Sequence, residues 1–324
     1  MNITVLVCTL NGCPRLANTL NCLAASTLPE GVEWEVLVVD NNSTDQTREV
    51  VEDFCRRFPG RFRYLCEPRP GKSFALNSGC REARGDVLAF LDDDATVDAT
   101  WLQNLTSALG GEEWAGAGGR IVLRWPPSIP EWLSIEGPYA RHYFPAFDLG
   151  ETAKELKQAP YGPNMAFRKK MFEKYGGFRT DLGPSPNRGV PRLFEDTEFG
   201  GRLLAAGEKL RYEPSAVVYV AIPEERIRKT YFLDRCFDWG RAEARLFGMP
   251  RVHTLCSFAA WVMRWIVAVE PRKRYHRKLV VWEKLGNIAE LYRQAVNGSA
   301  KKEYSGSPRL RSESGVCRYG LTRE

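Results

Sequence analysis

The apolar run Val87-Leu88-Ala89-Phe90-Leu91 stops abruptly at Asp92-Asp93-Asp94. A run of that length and composition is a strand buried on both faces. Three adjacent carboxylates at its end repel one another unless they bind something. Oxygen donors of this kind suit Mg²⁺ or Mn²⁺. Open α/β sheets collect their ligands at the carboxyl ends of parallel strands, so the triplet marks a site as well as a strand end. The plainer alternative, an acidic turn capping a helix that starts near Asp98, leaves the repulsion without compensation.

The rest of the first half repeats the β-then-α pattern. Ile3 to Cys8 is strand-like, and Pro14 to Ala25 has helical spacing at Leu16, Leu20 and Leu23. Val36 to Val39 predicts a second buried strand, followed by a turn at Asp40–Asp45 and a helix through Phe58. Phe62–Cys66 predicts a strand, Ser73–Ala83 a helix and Asp86–Leu91 the strand of the acidic triplet. Such repeats imply an α/β fold with a doubly wound, mostly parallel sheet. Trp114–Trp125 extends the sheet, and a helix over Glu195–Ala206 precedes two short strands near Leu210 and Val217. Between them, Pro126 to Pro160 is a long loop studded with Trp and Tyr, either a partner-binding flap or packed irregular chain.

Thr9-Leu10-Asn11 and Asp40-Asn41-Asn42-Ser43 follow the first two strands, where such a sheet places a nucleotide. Neither GxGxxG nor a Walker lysine is present, so no dinucleotide site or P-loop is signalled. Thr9, Asn11 and Asp40 suit a base and ribose, with Asp40 accepting from a nucleobase N–H. Ser43 and Asp45 read as turn and cap residues.

In their order these segments resemble the family 2 glycosyltransferases of the GT-A fold. The resemblance rests on Val5 to Asn11, Val38 to Asp45, Gly71-Lys72-Ser73 with Ala75 to Gly79, and Phe90 to Asp94. It continues through Gly162 to Phe167, Gly176-Gly177-Phe178, and Glu195-Asp196 with Arg202-Leu203, and covers residues 2 to about 245. It implies an inverting transferase using a nucleotide-diphosphate sugar, a UDP-sugar foremost, and a divalent metal, Mn²⁺ or Mg²⁺. In its DxD motif Asp94 binds the metal, Asp92 faces the ribose or metal, and Asp93 is the middle position on the nucleotide-sugar side. Lys72 and Asn77 line the nucleotide pocket. Asn164 and Glu195 fall in the sugar and acceptor region, and Asp196 is the general base. Its place in a helix's first turn puts the carboxylate among unpaired N–H groups. The chain departs from the pattern at Val220, where the family usually has a metal-binding His, and at Cys8, where Pro is common.

Two other functions compete. Val220 suits a non-catalytic nucleotide-sugar-binding or scaffold protein on the same fold. A nucleotidyltransferase shares the topology but needs a basic Gly-rich loop after the first strand, which Thr9 to Arg15 lacks.

The formal charge of +6 is uneven, since the basic excess follows Arg264 and leaves the preceding residues net acidic. Leu255 to Val269 is mostly apolar but shorter than the about 20 residues of a spanning helix. With Trp261, Trp265 and the cluster Arg272–Lys278, it fits the surface of an anionic membrane, or a packed helix beside a solvated basic segment. No nucleic-acid motif accompanies the charge. Nine scattered cysteines and the absence of a leader indicate reduced thiols in a cytoplasmic protein, attached peripherally to the membrane's cytoplasmic face near a saccharide or lipid-linked acceptor. The expected organisation is a GT-A catalytic domain over 1–222, a helical region over 223–296 and a disordered tail over 297–324.

Overall fold

The computed structural model describes residues 2–133, 144–187 and 189–296. They fall into two compact units. The first holds Met1–Arg124, Pro145–Val190 and Phe194–Ala221; the second holds Pro191–Leu193 with the described parts of Trp125–Phe144 and Ile222–Glu324. Two segments earlier than the expected boundary after residue 222, the described part of Trp125–Phe144 and Pro191–Leu193, cluster with the helical unit. The expected disordered tail, 297–324, lies outside the described residues.

In the first unit nine strands make one sheet: β1 (Ile3–Thr9), β2 (Trp34–Asp40), β3 (Phe62–Cys66), β4 (Val87–Asp92), β5 (Ala95–Val97), β6 (Trp114–Arg124), β7 (Lys154–Glu155), β8 (Met165–Arg168) and β9 (Lys209–Ala221). Their order is β3-β2-β1-β4-β8-β6-β9-β5, with β7 on β9. The half β3-β2-β1-β4 is parallel throughout, and β8 enters antiparallel to β4 and β6. Every residue of β1 is buried, which explains why it reads as a continuous apolar run rather than an alternation.

Helices α1 (Cys13–Ala24), α2 (Thr47–Arg57), α3 (Lys72–Glu82), α4 (Trp101–Ser107), α5 (Lys169–Tyr175) and α6 (Glu195–Ala205) accompany the sheet. Leu16, Leu20 and Leu23 of α1 are buried, as their spacing predicts. Helix α3 lies close to the sheet because its buried residues are small: a side chain at Gly79 would strike Leu6 and Val39. Helix α6 is fixed by aromatic packing, with Phe199 stacked on Phe172 at 4.3 Å and edge-on to Phe167 at 5.1 Å.

The two short strands expected near Leu210 and Val217 are one strand, β9. It pairs with β6 through Gly119↔Glu213 and resumes at Arg120↔Val217. Pro214 has no N–H to donate, so the ladder slips there and then continues.

In the second unit, α7 (Lys229–Phe247), α8 (Arg251–Ile266) and α9 (Pro271–Val296) follow one another. Of the segment read as a long Trp- and Tyr-studded loop, the described part up to Phe144 packs here, whereas residues 145–160 belong to the first unit and carry β7. The Trp132 ring lies 5.5 Å from Phe232 and 4.9 Å from Tyr275. Helices α7 and α9 cross backbone to backbone at Gly240 and Gly286, where any Cβ would run into the opposite helix's carbonyls. Asn287 donates to the Gly240 carbonyl at 2.7 Å, and the fully buried Glu290 accepts both arms of Arg245 at 2.9 Å. Among the described residues no helix is long and apolar enough to cross a membrane.

Gly286→Ala is expected to destabilise this unit by about 2 kcal/mol or more, since backbone cannot yield as a side chain can. Thermal unfolding followed by circular dichroism checks it; an unchanged midpoint would show that the crossing tolerates a methyl group.

Candidate active site

Parallel register builds the site edge. Thr9 stands beside Asp40, and Cys8 beside Asp92, so the ends of β1, β2 and β4 bring their polar residues together. Thr9 donates to Asp93 at 2.6 Å, tying the β1 end to the acidic turn. Thr19 of α1 clasps the same turn through the carbonyls of Asp93 and Ala95, at 3.0 and 2.8 Å. Burial pushes the Asp93 carboxyl up to about 6, although the Thr9 bond opposes the shift. Asp93 therefore works as a pin of the turn.

Beyond β2 the chain makes a tight polar loop. Asp40 is 3 % exposed; it accepts from the Ser43 N–H at 2.9 Å and the Tyr64 hydroxyl at 2.8 Å. Asn11 accepts from the Thr44 N–H at 2.8 Å, and its own N–H donates to the Ser43 hydroxyl. Asp45 serves two helix starts, accepting from the N–H groups of Thr47 and Cys13. Ser43 and Asp45 thus act as the turn and cap residues expected. Asp40 already has partners on both oxygens, so a base N–H would have to share it or displace Tyr64.

Lys72, the first residue of α3, links the end of β4 to the acidic pair of α6. Its ammonium lies 2.7 Å from Asp92 Oδ1 and 3.6 Å from Glu195 Oε1. Burial alone would lower its pKa; Asp92 and Glu195 outweigh burial and hold it well above the ordinary lysine value. Glu195 is buried, and burial pushes its carboxyl up to about 7, with Lys72 opposing and Asp196 adding. Asp196 Oδ2 accepts from the Gly162 N–H at 2.6 Å, and Oδ1 from the Thr197 N–H at 2.6 Å. A cleft lined by Cys8, Lys72, Asp92, Gly162, Glu195 and Asp196 brings these groups together. Asp94 sits half-buried on the adjoining turn and is not part of the cleft lining.

Two expected site residues lie elsewhere. The Asn77 side chain is spent on the backbone of Phe178, accepting its N–H and donating to its carbonyl, both at 2.8 Å. Asn164 is wholly buried, accepting from the Trp101 indole at 2.9 Å and donating to the carbonyls of Arg120 and Ala216 at 2.8 Å. A substrate cannot reach it there. It fixes the turn whose Gly162 N–H holds Asp196. Glu67 had no place among the sequence-derived candidates, yet it accepts from Arg69 and Ser78 beside the loop after β2. Its carbonyl takes the amide of Asn41 at 3.0 Å.

A divalent cation at this edge would find hard oxygen donors on Asp92 and Asp94, of which Asp92 Oδ1 is engaged by Lys72. Val220, on β9 opposite Ala95, is 2 % exposed and offers no ligand. Among the described residues no three His, Cys, Asp or Glu side chains gather into a metal-binding group. A cation there would have to take its remaining ligands from a diphosphate and water, as Mg²⁺ and Mn²⁺ can.

A mixed sheet of this order, parallel through β3-β2-β1-β4 and with a polar strand edge, has the GT-A type of α/β architecture. The sequence model described as Glycosyl transferase family 2 matches residues 4–176. The chain belongs to that family and is a glycosyltransferase. It is 30 % identical over 247 residues to the succinoglycan biosynthesis protein ExoM of Rhizobium meliloti, spanning 76 % of this chain and 75 % of that one. It is 27 % identical to the glucosyl-dolichyl phosphate glucuronosyltransferase of Haloferax volcanii over 254 residues, 74 % of this chain and 75 % of the relative. In fold it is similar to the mannosyltransferase PcManGT of Pyrobaculum calidifontis, solved with GDP-Man and Mn²⁺. That likeness has a TM-score of 0.55 and 20 % identity, and covers 92 % of this chain and 76 % of that one.

Glu67 carries a pH signature. The Arg69 guanidinium, helped by Ser78 and outweighing burial, holds its carboxyl at about 2, against an ordinary value of 4.5. A lowered carboxyl pKa stabilises the fold above about pH 4.5, and that contribution fades as pH falls toward 2. Because Arg69 is half exposed, Glu67→Gln should cost only about 1 kcal/mol at neutral pH. The difference between the two proteins should vanish on acidification, which urea titrations across pH will read.

Proposed function

We propose that the chain transfers a sugar from a nucleoside-diphosphate donor to a hydroxyl of a saccharide or lipid-linked acceptor, inverting the anomeric carbon. One observation carries this reading: Lys72 bridges Asp92 on the donor edge and the Glu195–Asp196 pair within a single cleft. The relatives' names support the acceptor class, one being a succinoglycan biosynthesis protein and another acting on a glucosyl-dolichyl phosphate. UDP-sugars head the donors to be tested, with GDP-mannose beside them.

Asp196 is the general base. The N–H groups of Gly162 and Thr197 orient its carboxylate while leaving lone pairs for an incoming hydroxyl. As the acceptor oxygen bonds to the anomeric carbon, its proton passes to Asp196 and the bond from that carbon to the diphosphate oxygen breaks on the opposite face. No enzyme nucleophile is required. Asn11, with the buried Thr9 and Asp40 behind it, would meet the base and ribose, with Asp40 sharing or exchanging its Tyr64 bond, and the Lys72 ammonium would pair with diphosphate oxygens. A divalent cation held by Asp94 and Asp92 would neutralise charge on the departing diphosphate. Burial raises the Glu195 carboxyl above the ordinary carboxylate range, which favours its neutral form beside Asp196. The cytoplasmic face of a membrane is the proposed place of action, where lipid-linked acceptors would be presented.

Asp196→Asn cannot take a proton and keeps only one of the two N–H bonds, so turnover should fall by about 10²-fold or more with donor affinity unchanged. Transfer assays paired with donor calorimetry will read both; equal turnover by the two proteins removes Asp196 from this role. Lys72→Met should instead weaken donor binding, by about tenfold or more, since a charge-assisted bond to phosphate is lost. Tight donor binding without turnover on any acceptor would favour the scaffold alternative raised by Val220.

A further inference from the structure

We infer that α8 lies flat in the headgroup region of an anionic lipid bilayer, through an apolar stripe that the fold leaves uncovered. The inference deepens the proposed function by naming the surface on which a lipid-linked acceptor would be met; the binding itself does not depend on the transfer chemistry. Along α8 and its C-cap, Val252, Leu255, Ala259, Met263, Ile266 and Val267 recur at helical spacing, and all are exposed. Val252 is 75 % exposed, Met263 61 % and Val267 65 %. The opposite face is the one that packs, with Thr254 and Ala268 buried. In a water-soluble surface helix the apolar stripe turns inward and the polar face outward. Here the outward face is the apolar one.

Charge selects the occupant. No acidic residue occurs from Arg251 to Val269, and just beyond it the exposed Glu270 is outnumbered by Arg264, Arg272 and Arg274, all exposed and close in sequence to the stripe's C-terminal end. A second copy of the chain would bring no acids on this helix to meet those cations. The tail over 297–324 is net basic and would be repelled. Anionic headgroups answer both features, apolar depth for the stripe and negative charge for its border. The aromatic neighbours suit the same boundary: the Arg264 guanidinium sits over the Trp261 ring at 4.9 Å, and Lys278 over Trp282 at 5.1 Å. At 16 residues the helix is about 24 Å long, too short to span a hydrocarbon core of about 30 Å. It must therefore lie along the surface.

The full chain should sediment with vesicles of phosphatidylcholine and phosphatidylglycerol in equal parts, and far less with phosphatidylcholine alone. The triple variant Leu255→Gln, Met263→Gln, Ile266→Gln changes only exposed positions, so it should fold normally by circular dichroism yet lose the vesicles. Arg272→Gln with Arg274→Gln should weaken binding on the order of thirtyfold at low salt, the gap closing as salt rises. Failure of the wild type to bind anionic vesicles overturns the inference, as does a triple variant that binds equally well. So does vesicle binding that appears only once residues 297–324 are removed, or a dimer that the triple substitution dissolves while vesicles stay unbound. No donor or acceptor enters these measurements, so their failure and a failure of transfer are told apart.

Discussion

Strand β1 is hydrogen-bonded on both sides, to β2 and β4, in parallel and in phase, and the site exists only because that register holds. A one-residue slip would turn each buried side chain to the other face and separate Thr9 from Asp40 and Cys8 from Asp92. The register is locked at the far end of the strands. Thr4 donates to Glu35, its register partner on β2, at 3.0 Å and accepts from the Gly85 N–H at 2.9 Å. Burial would raise the Glu35 carboxyl, but bonds from Arg63, Arg84 and Thr4 more than offset it. A buried polar lock with its bonds made costs little, whereas a slipped strand would strand those groups without partners.

Much of this was legible from residue order. The runs at Ile3, Val36 and Val87 are apolar without alternation, and only strands covered on both faces tolerate that composition. The acidic triplet then had to close the third of them. Less legible was anything joining distant segments. Pro214 makes one strand look like two, because a missing N–H looks the same in sequence whether a strand ends or slips. The second unit takes in Trp132 and Pro191–Leu193, which no local pattern could assign to helices many residues away.

Asn77 and Asn164 show why motif residues were sorted imperfectly between ligand and scaffold. A carboxamide donates and accepts at once, so it suits a sugar hydroxyl and a pair of backbone groups equally well. Sequence gives its type but not its surroundings. In the fold both amides hold loops: Asn77 fixes Phe178, and Asn164 fixes the turn that presents Gly162 to Asp196. Carboxylates are less ambiguous, since leaving one buried without a cation or several donors is costly. Asp92, Glu195 and Asp196 accordingly fell where their charge has an answer, in Lys72 or in N–H groups.

Backbone strain follows the same geography. Among the described residues, the non-glycine residues with positive φ are Asn11, Asn42 and Phe194, and each borders a site segment. Asn adopts this conformation readily, and the Asn11 side chain is held by the loop after β2. Phe194 has no such excuse: at φ 73° a bulky residue carries a cost of about 1–3 kcal/mol. What the distortion achieves is visible one residue later. The chain turns sharply into α6, so that Glu195 and Asp196 open the helix facing Lys72 and Gly162, while Phe199 one turn on stays locked against Phe172. The aromatic packing of α6 thus holds in place a conformation that the chain would not adopt alone, and that conformation aims the acidic pair.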